Sequence, residues 1–188
     1  MGRLIAIVGA SGVGKDTAIA HLRDAIPALH WATRVITRPA DTDGENHIVM
    51  SVQQFEIHKQ QGNFALHWDA HGLQYAIPHH SLRPLQKGMD VLVNLSRKTL
   101  QSAHKLGFDL VVINLTATRA VLAKRLAKRG RETPVEIEKR LNRHVPPFAA
   151  ELNVIDIDNS NSITDTVASI VDNLNLENKD TSCTPKSF

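Results

Sequence analysis

The chain has 188 residues and carries 22 Lys and Arg against 19 Asp and Glu, a formal net charge of +3. That length suits one α/β core and is too short for two independent ones; so slight a basic excess points to small phosphorylated ligands before long nucleic acid. Only 4% of residues are aromatic, with none of the basic interleaving of a single-strand stacking surface, and no apolar run reaches the roughly 20 residues of a spanning helix.

Leu4-Ile5-Ala6-Ile7-Val8 reads as a buried strand, and Gly9, Ala10, Ser11, Gly12, Val13, Gly14, Lys15, Asp16 and Thr17 follow it. This is a phosphate-binding loop. Gly9, Gly12 and Gly14 let the backbone curl so that successive N–H groups face an anion, and Lys15 adds an ammonium beside the outer phosphates. Ala18, Ile19, Leu22 and Ile26 predict a helix over residues 16–26, stopped by Pro27, so the loop opens on a helix N-terminus whose dipole reinforces the cradle. Residues 9–17 are therefore expected to hold a nucleoside triphosphate. Where the usual pattern places a Ser or Thr hydroxyl for Mg²⁺, this chain has Asp16, with a hydroxyl one place later at Thr17. Asp16 is the candidate Mg²⁺ ligand, directly or through water.

Val35 to Thr37 is a short extended piece, followed by a polar loop from Pro39 to Asn46. Ser51 and Gln54 form a capping box for a helix through about Gln61, and Phe64–Trp68 with Tyr75–Ile77 predict an antiparallel pair around His71-Gly72. Asp90–Leu95 is a second buried strand, with Ser96 placed to cap the helix behind it, and Phe108–Leu115 is a third. Thr116 or Thr118 then caps a helix with Ala120, Val121, Ala123, Leu126 and Ala127 along one side. Thr133-Pro134-Val135-Glu136 starts another, Val154–Ile157 is a final strand, and Ile163–Leu174 is a final amphipathic helix. Alternating strands and helices imply an α/β fold with a parallel sheet covered on both faces.

Residues 177–188 are mostly polar and are expected to be a disordered tail. The absence of a basic, cleavable leader and the single cysteine, Cys183, lead to the expectation of a cytoplasmic protein. The histidines His67, His71, His79 and His80 invite a metal-site reading. They lack acidic or cysteine partners at zinc spacing, so surface or structural roles are expected.

An anionic acceptor is best held by forked guanidinium groups. Arg34 and Arg38 fall on one face with Ile36 if residues 34–38 are extended, and Arg125, Arg129, Arg131, Arg140 and Arg143 straddle Gly130 and the cap at Thr133. That second cluster reads either as a solvated basic face paired with Glu132, Glu136 and Glu138 or as a closing lid; beside a phosphate-binding loop, the lid is the better reading.

Thr37-Arg38, Gly44-Glu45, the turn from His71 to Tyr75, Arg129-Gly-Arg-Glu132 and Lys139 to Leu141 together resemble the guanylate kinase group of P-loop kinases. The resemblance implies a P-loop nucleoside-triphosphate hydrolase fold over residues 1–176, with an acceptor-binding insert at about 34–88 and a lid at about 126–140. It implies that Lys15, Arg38, Arg129 and Arg140 act on the transferring phosphates, and that Arg131 and Asn159 lie on the nucleotide, Asn159 near the adenine. Asp41 stands where guanylate kinases have a second arginine, and Leu66 and Ile77 stand where they read guanine. An aliphatic pair leaves the polar edge of guanine unpaired, at about 1–3 kcal/mol for each group.

Gly-Lys15-Asp16-Thr17, Arg34-x-Ile-Thr-Arg38, Glu45-Asn46-His47, Leu92-Val-Asn94 with Ser96-Arg97, and Arg129-Gly-Arg-Glu132 together resemble more specifically the ribose 1,5-bisphosphate phosphokinase family of phosphonate degradation. This resemblance implies ATP and Mg²⁺ as cofactors and a phosphorylated sugar as acceptor, held by Arg34, Arg38, Glu45, Asn46, His47, Tyr75, Asn94 and Arg97. Asn46 and His47 serve either the sugar hydroxyls or only the surface loop. The alternatives are a nucleoside monophosphate kinase with altered base choice and a non-catalytic guanylate kinase-like module; the intact loop argues against the latter.

Overall fold

A computed structural model describes residues 1–38, 47–70, 72–130, 132–142 and 145–176. In chain order the elements are β1 (Arg3–Gly9), α1 (Lys15–Ala25), β2 (His30–Trp31), β3 (Val35–Ile36), β4 (Ile48–Val49), α2 (Val52–Gln60), β5 (Phe64–Ala70) and β6 (Leu73–Pro78). They continue with α3 (Arg83–Gln86), β7 (Val91–Asn94), α4 (Leu100–His104), β8 (Asp109–Thr116), α5 (Arg119–Arg129), α6 (Pro134–Leu141), β9 (Asn153–Asp158) and α7 (Ile163–Leu174).

The apolar run of residues 4–8 is the central strand of a parallel sheet ordered β2-β7-β1-β8-β9. Every residue from Leu4 to Val8 is fully buried, because helices or the insert cover both faces, which is why the run is continuous and not alternating. Ile5 and Ile7 pack on Ala18, Ile19 and Leu22 of α1 and on Ile170 and Leu174 of α7. Leu4, Ala6 and Val8 face the other core, with Val91, Val93, Leu66 and Ile77. Arg3 ties the entry of β1 to the next strand: its N–H and guanidinium donate to the buried Asp90 carboxylate at 2.8, 3.1 and 2.7 Å. No helix among the described residues is long and apolar enough to cross a membrane.

The insert is a separate sheet ordered β4-β3-β6-β5. Its β5–β6 hairpin is the expected antiparallel pair, extended to Phe64–Ala70 and Leu73–Pro78. The expected extended piece at Val35 becomes the two-residue strand β3, while β4 was not anticipated: it has two residues, and its pairing with β3 spans the intervening loop. Val35, Phe64 and Ala76 pack with Phe55 of α2 in a small core on one face.

The caps largely follow the sequence. Ser51 with Gln54 and Thr133 with Glu136 form reciprocal capping boxes, and Ser162 caps α7. At α5 the cap is Thr118, while the Thr116 hydroxyl donates to the Ile157 carbonyl at 3.3 Å. Ser96 is a correction. Its side chain caps nothing, because the chain enters a 3₁₀ turn at Arg97–Thr99 before the short α4, and the Thr99 N–H takes the Ser96 carbonyl at 2.9 Å.

Candidate active site

The loop between β1 and α1 is built on backbone conformations that side chains resist. Gly12 and Gly14 have φ of 85° and 95°, and Gly14 occupies the cap position of α1 with no capping side chain. The Lys15 ammonium folds back along the loop and donates to the carbonyls of Gly9 at 2.8 Å and Ala10 at 3.4 Å. Two side chains brace the loop from outside. The Val13 carbonyl accepts from Asn159 Nδ2 at 2.7 Å and from Arg125 Nη1 at 3.0 Å, while the Thr166 hydroxyl donates to Asn159 Oδ1 at 2.8 Å. A Cβ on Gly14 would lie 2.7 Å from Asn159 Nδ2, so the glycine also makes room for the brace. Beside the loop a cavity of about 450 Å³ is lined by Gly12, Gly14, Thr17, Arg125, Arg129 and Asn159.

Asp16 sits exposed in the first turn of α1. Asn94 ends β7 directly beside Ile7 of β1; it is buried, and its Nδ2 donates to Asp16 Oδ1 at 3.3 Å. The Asp16 carboxylate and the Thr17 hydroxyl thus offer oxygen donors at the mouth of the phosphate loop. That is the donor type a hard divalent cation takes.

Arg125 of α5 and Arg140 of α6 both reach this loop. Gly130 ends α5 in the left-handed conformation at φ 63°, and Thr133 restarts the chain as α6. Arg140 Nη1 donates to Ser11 Oγ at 2.8 Å, and its Nη2 pairs with Glu132 at 2.8 Å, so one guanidinium links α6 to the loop. Arg119 pairs with Glu138 at the outer edge. Glu136 accepts from the Thr133 N–H at 2.8 Å and hydroxyl at 2.9 Å, and these bonds hold its carboxyl below the usual carboxylate range. Arg131 and Arg143 lie outside the described residues.

On the insert, Thr37 and Gln74 continue the β3–β6 pairing: the Thr37 N–H meets the Gln74 carbonyl at 3.0 Å, and the Gln74 N–H meets Thr37 Oγ1 at 2.9 Å. Residues 34–38 are therefore extended, and alternation puts Arg34, Ile36 and Arg38 on the Tyr75 side. The Arg34 guanidinium lies 5.7 Å from the Tyr75 ring centroid, and Tyr75 stacks on Trp68 with centroids 5.5 Å apart and planes at 11°. His47 is half-buried next to β4. Asp41, Gly44, Glu45, Asn46 and His71 lie outside the described residues, as do 177–188. Leu66 and Ile77 are direct cross-strand partners, 4% and 0% exposed.

Proteins of known type resemble this chain over most of its length. Ribose 1,5-bisphosphate phosphokinase PhnN of Agrobacterium fabrum is 41% identical over 165 residues, covering 86% of this chain and 90% of that one. The chain belongs to the ribose 1,5-bisphosphate phosphokinase family. The Yersinia pestis protein of the same name is 47% identical over 145 residues, covering 76% of this chain and 75% of its own. A bifunctional ribose 1,5-bisphosphokinase-thymidine phosphorylase of Azorhizobium caulinodans is 42% identical over 159 residues, but the chain spans only 23% of that longer protein. Guanylate kinase from Anaplasma phagocytophilum shares the fold, with a TM-score of 0.67 at 17% identity over 96% of this chain and 88% of its own. No protein-family model matches the chain.

In this phosphokinase family member one arginine is engaged differently from the sequence expectation. Arg97 is not presented as a loose phosphate ligand: its guanidinium lies 3.7 Å from the Phe148 ring centroid and donates to the Pro146 carbonyl and to Asn114 Oδ1, both at 3.1 Å. Asn114 Nδ2 donates in turn to Asp156 at 2.6 Å. Burial lowers the Arg97 pKa, the Asp156 charge opposing that effect. Sequence reasoning also missed Thr166 and the specific task of Arg125. Only the chain's return past the loop brings them to Asn159 and Val13, and no local pattern marks that.

Proposed function

We propose that the chain transfers the γ-phosphoryl group of ATP to the 1-phosphate of ribose 1,5-bisphosphate, forming 5-phosphoribosyl 1-diphosphate and ADP, a step of phosphonate degradation. An oxygen of the 1-phosphate attacks the γ-phosphorus, and the bond from that phosphorus to the β–γ bridging oxygen breaks, its electron pair leaving with ADP. The acceptor is already an anion, so the reaction calls for positioning and charge stabilisation and no general base. Residues 9–17 hold the donor phosphates, with Arg131 and Asn159 toward the base. Lys15, Arg38, Arg129 and Arg140 neutralise the transferring group. Arg34 and Arg38 hold the sugar phosphates on the Tyr75 face, with Glu45, Asn46, His47 and Asn94 toward the hydroxyls. Residues 34–88 act as the acceptor insert and 126–140 as the lid.

Mg²⁺ fits the donor set at Asp16 and Thr17, and when bound it would supply charge neutralisation to the donor phosphates. Asp16 would hold it, and Asn94 orients the Asp16 carboxylate through the 3.3 Å hydrogen bond.

The observation that carries this reading over a guanylate kinase is the Leu66–Ile77 pair. Both side chains are spent in the core, where the polar edge of a guanine would find no partner. A sugar bisphosphate asks only for charge and hydroxyl partners. The deciding experiment offers the purified protein ATP with ribose 1,5-bisphosphate, GMP or AMP, and follows the new diphosphate by ³¹P NMR. Rapid transfer to the sugar is the expected result; fast transfer to GMP with none to the sugar would overturn the proposal.

A further inference from the structure

The small sheet has a second face. Val35, Phe64 and Pro78 alternate away from the Ile36, Tyr75 and Ile77 side, and they floor a cavity of about 320 Å³ at the far end of the insert. Its rim is cationic or imidazole: His58 from α2, His79 and His80 from the turn after β6, and Arg83 at the start of α3. Among the described residues no acidic one lines it, and none is shared with the cavity beside the phosphate loop.

The walls are tied in place. The Asn63 N–H donates to the His58 carbonyl at 3.0 Å, and the His79 N–H donates to the Asn63 carbonyl at 3.3 Å. The Asn63 side-chain amide lies 3.0 Å from His58 Nδ1; assigned as the donor there, it leaves the His58 ring hydrogen on Nε2. The His58 ring also stacks on Phe64, with centroids 6.0 Å apart. Among the described residues, the side chains of His79, His80 and Arg83 have no hydrogen bond or ion pair, so their donors are uncommitted. An aromatic and prolyl floor under unspent cationic donors matches an amphipathic anion. The floor takes an apolar body, and the guanidinium takes a forked anionic head.

We infer that this cavity binds a small aromatic organic anion, at a site separate from phosphoryl transfer. The head sits on Arg83 and the histidines, and the ring sits on Phe64 and Pro78. The inference does not depend on which phosphate acceptor the enzyme uses.

The test titrates the ¹⁵N-labelled full chain with benzenesulfonate, using methanesulfonate as the head alone and phenol as the body alone. Benzenesulfonate is expected to shift the amides of Asn63, Phe64 and His79 while leaving Gly12 and Lys15 in place, and to bind more tightly than either fragment. Arg83→Gln is expected to weaken it about tenfold, the loss of one charge-assisted contact. His80→Gln weakens it as well. Absent binding, shifts centred on Gly12 and Lys15, equal binding of a fragment, or undiminished binding by both variants would each overturn the inference.

Discussion

Asn159 Nδ2 donates to the Val13 carbonyl at 2.7 Å, so the residue just past the last strand holds the phosphate loop from behind. Its Oδ1 is taken by Thr166, and the side chain is 2% exposed. Replacing it by Ala leaves the Thr166 hydroxyl only its 3.1 Å bond to the Ser162 carbonyl, and leaves Arg125 as the remaining brace of Val13. Asn159→Ala is expected to lower unfolding stability by about 1–3 kcal/mol and to raise KM for ATP; urea denaturation and initial rates check both. Gly14→Ala is harsher alone, because its φ is 95° and its new Cβ meets Asn159, and the double variant should recover part of the loss.

Lys15 is the mobile charge of the loop. Lys15→Met should reduce phosphoryl transfer by on the order of a hundredfold to a thousandfold with the thermal midpoint nearly unchanged. Retained activity would remove Lys15 from the donor site.

Asp16→Ser restores a hydroxyl where the carboxylate now faces Asn94. The Mg²⁺ concentration for half-maximal rate should rise about tenfold, and Asn94→Ala should move it the same way by less. An unchanged Mg²⁺ dependence would show that Asp16 is not a metal ligand.

Leu66 is spent on packing, so its truncation should register in stability before selectivity. Leu66→Ala is expected to cost about 2–5 kcal/mol in urea unfolding without creating GMP kinase activity. New transfer to GMP would mean that the pair does exclude guanine, but by bulk and not by lack of polar partners.

Glu136 couples the start of α6 to pH. Its folded pKa is depressed, chiefly by the Thr133 N–H and then by the Thr133 hydroxyl. Its contribution is therefore complete above the unfolded carboxylate pKa and is lost as pH falls through the lower folded value. Hydrogen exchange of α6 should accelerate on acidification below the usual carboxylate range. Glu136→Gln keeps an uncharged capping box and should flatten that profile. Identical profiles for the two proteins would refute the link.

Local rules made the loop, the capping boxes at Ser51 and Thr133 and the whole of α7 legible, because each depends on residues within a turn or two. The Arg34/Arg38 face was legible too, since alternation needs only an extended segment. The two-residue strands β2 and β4, and the pairing of the extended piece at Val35, were not. They exist through partners tens of residues away, His30 with Val91 and Val35 with Ala76, and carry little signal of their own.

The sequence by itself determined the kind of chemistry: glycines and a lysine at that spacing cradle phosphates wherever the chain later runs, and arginines suit anionic substrates. Tertiary structure decided which polar side chains remain available to a ligand. Leu66 and Ile77 became a buried pair, Arg97 was taken by Phe148, Pro146 and Asn114, and Asn159 was enlisted to hold Val13. The physical reason is competition. A polar or apolar group close to a packed neighbour satisfies itself there, and that neighbour is set by the fold and not by the residues beside it in the chain.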